Sequence, residues 1–324
     1  MADPKPKPEI TDPHLAGALA RLGAAIEANP AKHPTEPPPS AKIIQFPLWP
    51  EPVRAMPNPV LRSALFSAVQ GKHRRFLDNE LIASVDGLTI HFTGKQLNQE
   101  DLEVCAEVFH LARIHPLGDT CHSAAHALLK NLGRQTGNSQ HRQLHDTLLR
   151  LQAHGVEIKT GRYTYFGSLI MEGVKDDLTR QYLIKINPKL APLFQQGWTG
   201  LETWQRRRLR GKPLALWLHA FYATHAQPYP YKVATLRQLS GSRTHTLKHF
   251  RAAVRRALKE VQAIGAITAW NIEPGDLVVI DKLGTGAQRR KTKGTRSARA
   301  FIGSTLKRIT AEAAQQRRDR PTKR

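Results

Sequence analysis

Acidic side chains are scarce in this chain. Asp and Glu number 26 against 49 Lys and Arg, which leaves a formal net charge of +23 over 324 residues. A field of that sign draws in polyanions, of which nucleic acid is the commonest; an anionic membrane surface or an acidic protein are the alternatives. Cysteine is scarcer still. Cys105 and Cys121 are the whole complement; two cannot build a disulfide framework, and their spacing fits no zinc motif. No run of about 18 apolar residues exists, which excludes a membrane-spanning helix. The N-terminal MADPKPKPEI lacks the apolar centre of a secretion signal. No G-x-x-x-x-G-K-[ST] loop occurs, so nothing supports a P-loop ATPase. Together these absences predict a reduced, cytoplasmic, DNA-associated protein.

What is present divides into four parts. Residues 1–45 are rich in Pro and Ala and read as a flexible N-terminal region, with one amphipathic patch, HLAGALARLGAAIEA (14–28). Residues 282–324 hold fourteen Lys and Arg against only Glu312 and Asp319. Such a basic tail is expected to be disordered when free and to add phosphate affinity with little specificity. The periodic signal lies between, and its length suits two domains, 46–188 and 189–281.

Within the first of these two domains, ELIASVDGLTIHF (80–92) alternates about Asp86-Gly87 as a hairpin. DLEVCAEVFHLARI (101–114) places Leu102, Cys105, Val108, Phe109 and Ala112 on one helical face. AAHALLKNLG (124–133) and QHRQLHDTLLRLQAHG (140–155) read as two helices, each stopped by Gly. A hairpin, VEIKTGRYTYFGSLIME, and a strand, RQYLIKI (180–186), follow. In the second domain, LETWQRRRLRG (201–211) and PLALWLHAFYATHA (213–226) read as helices, the latter opened by proline in its first turn. YKVATLRQLSG then leads to a long helix ended by Gly265. AITAWNI and DLVVIDK form a hairpin across Glu273-Pro274-Gly275.

The two domains resemble each other. LLRLQAHGVEI (148–158) and LKEVQAIGAIT (258–268) share L-x-x-[LV]-Q-A-x-G before a strand, and Leu129-x-x-Leu132 upstream corresponds to Leu236-x-x-Leu239. Helix, turn, longer helix and two-stranded hairpin thus occur twice. That is the plan of a winged helix, and the expected fold class is α+β with two tandem winged-helix domains.

In a helix-turn-helix the second helix enters the major groove. For the second domain that helix lies in SGSRTHTLKHFRAAVRRALKEV. Leu247, Phe250, Val254, Leu258 and Val261 recur at three- and four-residue steps and should face the core. Lys248, Arg251, Arg255 and Lys259 fall on a separate face, with Arg243, Thr244, His245 and His249 at its start. Arg can clamp guanine bidentately, while Lys mostly secures phosphate. Glu260 is the one acid between 242 and 265, so a charge-balanced, merely solvated surface is a poor account of this helix. In the first domain the corresponding helix offers Asn138, Gln140, His141, Arg142 and His145, whose amides and imidazoles could read adenine-containing pairs. The hairpin after it offers Lys159 and Arg162 to phosphates, as a wing would.

Other constellations are weaker. HRQLH (141–145) lacks the Glu that a zinc protease needs between its histidines, and CHSAAH (121–126) supplies three donors without a fourth. Tyr163 and Tyr165 have no His-x-His companion for nicking chemistry. We therefore expect no catalytic centre, no metal and no cofactor. Gln45-Phe46-Pro47-Leu48-Trp49 has the Gln, Leu and aromatic of peptides that dock in a bacterial sliding clamp, with Gln45, Leu48 and Trp49 as the contacts; folding back onto the first domain is the competing account.

LWPEPVRAMPN (48–58) with RSALF (62–66), and QPYPYKVATLRQLSGSRTHTLKHFRAAVRRALKEVQAIGAI (227–267), resemble the TrfA family of plasmid replication initiators. The resemblance runs from about 46 to 281. It implies two winged-helix domains that bind repeated origin sites, called iterons, in double-stranded DNA. It also implies strand opening, contacts with the host initiator, replicative helicase and sliding clamp, and copy control through a monomer–dimer equilibrium. The sequence departs from the family in its degenerate clamp peptide and its long basic tail. A winged-helix transcriptional repressor without initiator activity is the alternative expectation.

Overall fold

A computed structural model describes residues 46–70, 74–85, 87–114, 119–161 and 163–282. Strand β1 (Val53–Pro57) runs into a single helical turn, α1 (Asn58–Leu61), started by Pro59. Short β2 (Phe66–Ser67) precedes the hairpin of β3 (Phe76–Ile82) and β4 (Leu88–Lys95). Ile82 faces Ile90 and Leu81 faces His91, the register that the alternation about Gly87 predicts. After β5 (Leu97–Asn98) comes α2 (Gln99–Ala112). Its start is a capping box: the Asn98 side chain accepts from the Glu100 and Asp101 amides, and the Asp101 carboxylate accepts from the Asn98 amide at 3.0 Å. Leu102, Cys105, Val108, Phe109 and Ala112 are all buried, as the periodicity predicts.

Next come β6 (Thr120–Ala124), α3 (Ala125–Asn131) and α4 (Asn138–Gln152). Then β7 (Gly155–Thr160), β8 (Tyr163–Gly167), β9 (Ile170–Lys175) and β10 (Gln181–Ile186) follow in turn. The chain continues through α5 (Ala191–Gln195), β11 (Trp198–Glu202), α6 (Thr203–Arg208) and α7 (Pro213–Ala223). It closes with β12 (Tyr231–Lys232), α8 (Val233–Leu239), α9 (Leu247–Ala263), β13 (Ala269–Glu273) and β14 (Leu277–Asp281). The architecture is α+β. The expected N-terminal region, with its 14–28 patch, and the basic tail beyond Lys282 lie outside the described residues.

The same order of elements occurs twice, and the sheets make the correspondence sharper than the sequence does. The strand before the helix pair, β6, lies beside β10 in a sheet ordered β6-β10-β9; β12 lies beside β14 in a sheet ordered β12-β14-β13. Hence α2–β6–α3–α4–β9–β10 corresponds to α7–β12–α8–α9–β13–β14. The first helix of each pair also ends alike. Gly133 and Gly241 take φ of +65° and +61°, and the following amides, Arg134 and Ser242, reach back to the carbonyls of Leu129 and Arg237 at 2.8 and 3.2 Å. That six-to-one closure needs a left-handed residue, which glycine adopts without a Cβ penalty.

Three expectations require correction. The hairpin KTGRYTYF is β7–β8, and it is an insertion: β7 pairs with β4 along Leu88–Thr93, giving a four-stranded sheet β3-β4-β7-β8. The counterpart of β13–β14 is therefore β9–β10. Gly155 does not stop α4; the helix ends at Gln152 and Gly155 is the first residue of β7, opposite Thr93. Leu201 and Glu202 are strand rather than helix, because they pair antiparallel with Arg54 and Val53.

Two clusters of buried side chains underlie the fold. The first runs from Phe46 to Leu201, with Ala220 of α7; the second runs from Leu209 to Ile280. The two clusters change over between Leu201 and Leu209 along the chain, with Ala220 reaching back into the first. Leu190, Leu193 and Phe194 are buried in the first cluster because Phe194 packs edge-on against Phe46 and Phe109, at ring separations of 5.1 and 5.9 Å.

Candidate nucleic-acid interface

Helix α9 begins where the Thr246 hydroxyl accepts the His249 amide at 3.3 Å, an N-cap. Its apolar face is fully committed: Phe250, Val254, Leu258 and Val261 are buried against α7 and the β12-β14-β13 sheet, and Leu247 is half-buried. The opposite face carries Lys248, His249, Arg255, Lys259 and also Arg256, all exposed. The sequence reading passed over Arg256. A strict i, i+4 ladder of 251, 255 and 259 excludes it, yet it lies only one 100° step from Arg255 and on the outward side.

Arg251 sits differently. Its Nε donates to Asp276 Oδ1 at 2.6 Å and its Nη2 to Asp276 Oδ2, a bidentate pair across to the β13–β14 turn. Asp276 has φ of +64°, and its backbone carbonyl accepts the first amide of α8, from Val233, at 2.9 Å. One residue thus ties α8, α9 and the hairpin together. The Arg251 guanidinium holds the Asp276 carboxyl below its usual range, and Asp276 in turn raises Arg251. Of the four cations expected on one face, Lys248, Arg255 and Lys259 share it, and Arg251 is drawn to its flank. In the turn before α9, Ser242 and Thr244 hydroxyls lie 3.1 Å apart, and Arg237 donates to the His245 carbonyl at 3.2 Å. Arg243 and His245 are exposed there, and Thr244 is half-buried.

Helix α4 buries Leu144, Thr147, Leu148 and Leu151. Asn138, Arg142 and Gln143 are exposed, whereas Gln140, His141 and His145 are half-buried. His145 Nδ1 is 3.1 Å from the Tyr182 hydroxyl of β10, so this residue joins α4 to its following hairpin much as Arg251 does in α9. In the alignment of LLRLQAHG with LKEVQAIG, Asp146 and Leu149 occupy the places of Arg256 and Lys259. The outer face of α4 is consequently near neutral. Lys159 is exposed on β7 but belongs to the four-stranded sheet, opposite Thr89 and Thr164, not to β9–β10. Arg162 lies outside the described residues.

A polar depression beside α4 went unforeseen. Arg74, Lys95, Arg134 and Arg150 line it together with Glu100, Gln143, Asp146 and Thr147. Arg74 and Arg150 both hold Asp101, which is fully buried, and Arg134 reaches Glu103 at 3.4 Å. These cations come from two loops, a strand and a helix far apart in the chain, so no local pattern announces them.

The QFPLW segment is divided. Gln45 lies outside the described residues and Leu48 is 70% exposed. Phe46 and Trp49 are buried. The Trp49 ring stacks on Phe194 with planes 5° apart, and the Arg113 guanidinium lies 5.4 Å from its centroid. Indole N–H can only donate, so the 2.9 Å contact makes His110 Nδ1 an acceptor; His110 Nε2 then donates to Glu51 Oε2 at 2.9 Å. Burial holds His110 below its usual pKa, and hydrogen bonds from His110 and Arg113 lower Glu51. A clamp that took Trp49 would have to extract it from this core.

Among the described residues no group of three His, Cys, Asp or Glu side chains is placed to hold a metal, and no helix is long and apolar enough to cross a membrane. His122 and His126 are exposed, while Cys121 faces the core.

The family model described as TrfA protein matches residues 40–281. The plasmid replication initiator protein TrfA of Escherichia coli is 28% identical over 234 residues, an alignment covering 68% of this chain and 60% of that protein. The chain thus spans about three-fifths of that relative's length. Among solved structures, a selenomethionine derivative of domains 2 and 3 of RctB aligns with a TM-score of 0.46 at 12% identity, covering 63% of this chain and 85% of that one. A second structure of RctB domains 2–3 gives 0.43 at 12% identity, covering 65% and 92%. With the family model spanning both helix pairs and their sheets, this chain belongs to the TrfA family.

Proposed function

We propose that this protein is a plasmid replication initiator that binds repeated sites in double-stranded origin DNA without a catalytic centre of its own. It does so through two winged-helix units. The first comprises α2, β6, α3, α4 and the wing β9–β10; the second comprises α7, β12, α8, α9 and the wing β13–β14. The observation that carries this reading is α9: a helix whose one face is wholly buried and whose other presents Lys248, Arg255, Arg256 and Lys259 to solvent, following a tight turn. Phosphate neutralisation by that face supplies affinity, and Arg255 is the residue best placed for bidentate base contact. Helix α4, with Asn138, Arg142 and Gln143 outward, reads the neighbouring groove. Family membership supports the initiator role over that of a plain repressor. Recruitment of host initiator, helicase and clamp, and a monomer–dimer equilibrium, complete the proposal.

The test is footprinting on the DNA flanking the gene, combined with plasmid maintenance driven by the gene and its origin. The expected result is a repeated protected site whose deletion abolishes maintenance. Protection confined to a promoter, with no replication supported, would establish the repressor instead.

A further inference from the structure

We propose that arginines in and just after α6 and their counterparts across the junction form a ruler that fixes the separation of α4 and α9, so that the protein accepts one spacing between its two half-sites. This rests on the DNA-binding reading above and deepens it.

The observation is where the two halves touch. The last carbonyls of α3, left without intrahelical partners, are met by guanidinium groups from the second half. Arg207 Nη2 donates to Asn131 O at 2.7 Å; Arg210 donates to Gly133 O at 2.6 Å and to Leu132 O. Charged donors at a helix C-terminus are favoured by its dipole and form shorter, stronger bonds than neutral ones. The fit is close: a Cβ at position 133 would stand 2.7 Å from Arg207 Nε. Glycine there is favoured by its positive φ, and the guanidinium fills the space a side chain would otherwise take.

The arrangement is reciprocal. The end of α8 is held from the first half, where the Ala68 amide donates to Ser240 O at 2.7 Å. The end of α7 is held likewise, since Arg62 donates to Thr224 Oγ1 at 2.8 Å and to Thr224 O at 2.7 Å. Between them, buried Arg206 of α6 bonds Leu216 O at 3.0 Å and Gln99 Oε1 at 3.1 Å, and Gln99 Nε2 continues to Phe66 O at 2.6 Å. Trp217 Nε1 adds a bond to Ser63 O at 3.1 Å. The turn leading into each groove helix is therefore pinned by atoms of the other half. The two helices do not hang on a flexible linker.

The consequence is geometric. Two linked modules reinforce each other only when both can engage at once, and a rigid link makes that condition narrow. One inserted base pair moves the second half-site by about 3.4 Å and turns it by roughly a tenth of a helical turn.

The probes are duplexes enriched by the wild-type protein from a random pool, and the same duplexes with one or two base pairs inserted or removed at the centre. Wild type should lose at least roughly 30-fold in affinity on a one-base-pair change, within the gain that linked modules provide. The variant R207Q/R210Q, altered at exposed side chains, should lose less than about threefold on the same change. The ratio between spacings, unlike the affinity, is insensitive to the loss of two positive charges. R62Q removes the reciprocal contact and should relax the ratio too, giving a second reading should the double variant fail to fold. A folded R207Q/R210Q that keeps the wild-type ratio overturns the ruler, as does a wild type indifferent to spacing. A pool that enriches no duplex sinks the DNA-binding reading, and the ruler with it.

Discussion

The most direct consequence of the α9 geometry is a salt dependence that can be taken apart residue by residue. Lys248, Arg255, Arg256 and Lys259 face outward, whereas Arg251 is neutralised by Asp276. If each outward cation meets one phosphate at about 0.9 per contact, α9 contributes at most about 3.6 to the slope of log affinity against log salt. Replacing Arg255 and Arg256 by Ala should lower the slope by about 0.9 where Arg255 reads a base and by about 1.8 where both meet phosphate, so that a fourfold rise in salt costs the wild type about three- to twelvefold more affinity than the variant. D276N works in the opposite direction. It releases Arg251, and the slope on scrambled duplex should rise by up to about 0.9, with tighter non-specific binding at low salt.

The assay is fluorescence anisotropy of labelled specific and scrambled duplexes at several salt concentrations. If Arg255 reads a base, R255A alone should cost about 1–3 kcal/mol on the specific duplex and much less on the scrambled one. An unchanged slope in R255A/R256A would refute the assignment of α9 as the groove helix. A D276N protein that binds scrambled DNA more weakly would refute the idea that Asp276 masks Arg251.

Three further outcomes follow from the core. His219, pushed down to about 3 by burial and by Arg206 and Lys282, and His225, pushed down to about 4 chiefly by burial, are neutral in the fold. Because the unfolded chain takes up those protons first, stability is intact above the unfolded value of 6.5 and falls as pH drops below it, by about 2 kcal/mol per histidine at pH 5; thermal melts at pH 7.5 and 5 read this, and an H219N protein should show the smaller drop. Burial raises the Cys121 thiol to about 12 and Cys105 further, so neither should react with an aromatic disulfide reagent until the protein is denatured. W49A should lose about 3–5 kcal/mol in urea unfolding, whereas L48A, at an exposed site, should stay within about 0.5 kcal/mol of wild type; equal losses would contradict the packing of Trp49 on Phe194.

Much of the fold was legible because it is local. The periodicity of α2 and α9, the Gly87 and Pro274-Gly275 turns and the stops at Gly133 and Gly265 are each written within a few residues. What escaped depends on partners far along the chain. Leu201 and Glu202 read as helix because their flanks, Thr203–Arg208, are helix; only Val53 and Arg54 make them a strand. The hairpin β7–β8 read as the one attached to α4 because it follows α4 directly. Its pairing with β4, and the pairing of β10 with β6, decide otherwise. Likewise no local rule couples Arg251 to Asp276 or buries Trp49 beneath Phe194.

The two helices proposed to enter grooves, α4 and α9, are unequal, and the inequality bears on how the proposed tandem would work. Helix α9 presents four exposed cations, and the β13–β14 turn beside it carries exposed Glu273 and, paired with Arg251, Asp276. Helix α4 presents Arg142 with Asp146, and the β9–β10 turn that follows it carries Asp176, Asp177 and Arg180, with Asp177 paired to Lys175 and Leu178 93% exposed. With acidic residues at both hairpin turns, the difference between the halves lies in the helices, and on the proposed reading α4 would add base contacts more than charge. Affinity would then reside in the second half and discrimination be shared. An energetically weak first module contributes only if it is delivered to its groove without an entropic penalty. That is the circumstance in which a junction stiffened by Arg62, Arg206, Arg207 and Arg210 matters most.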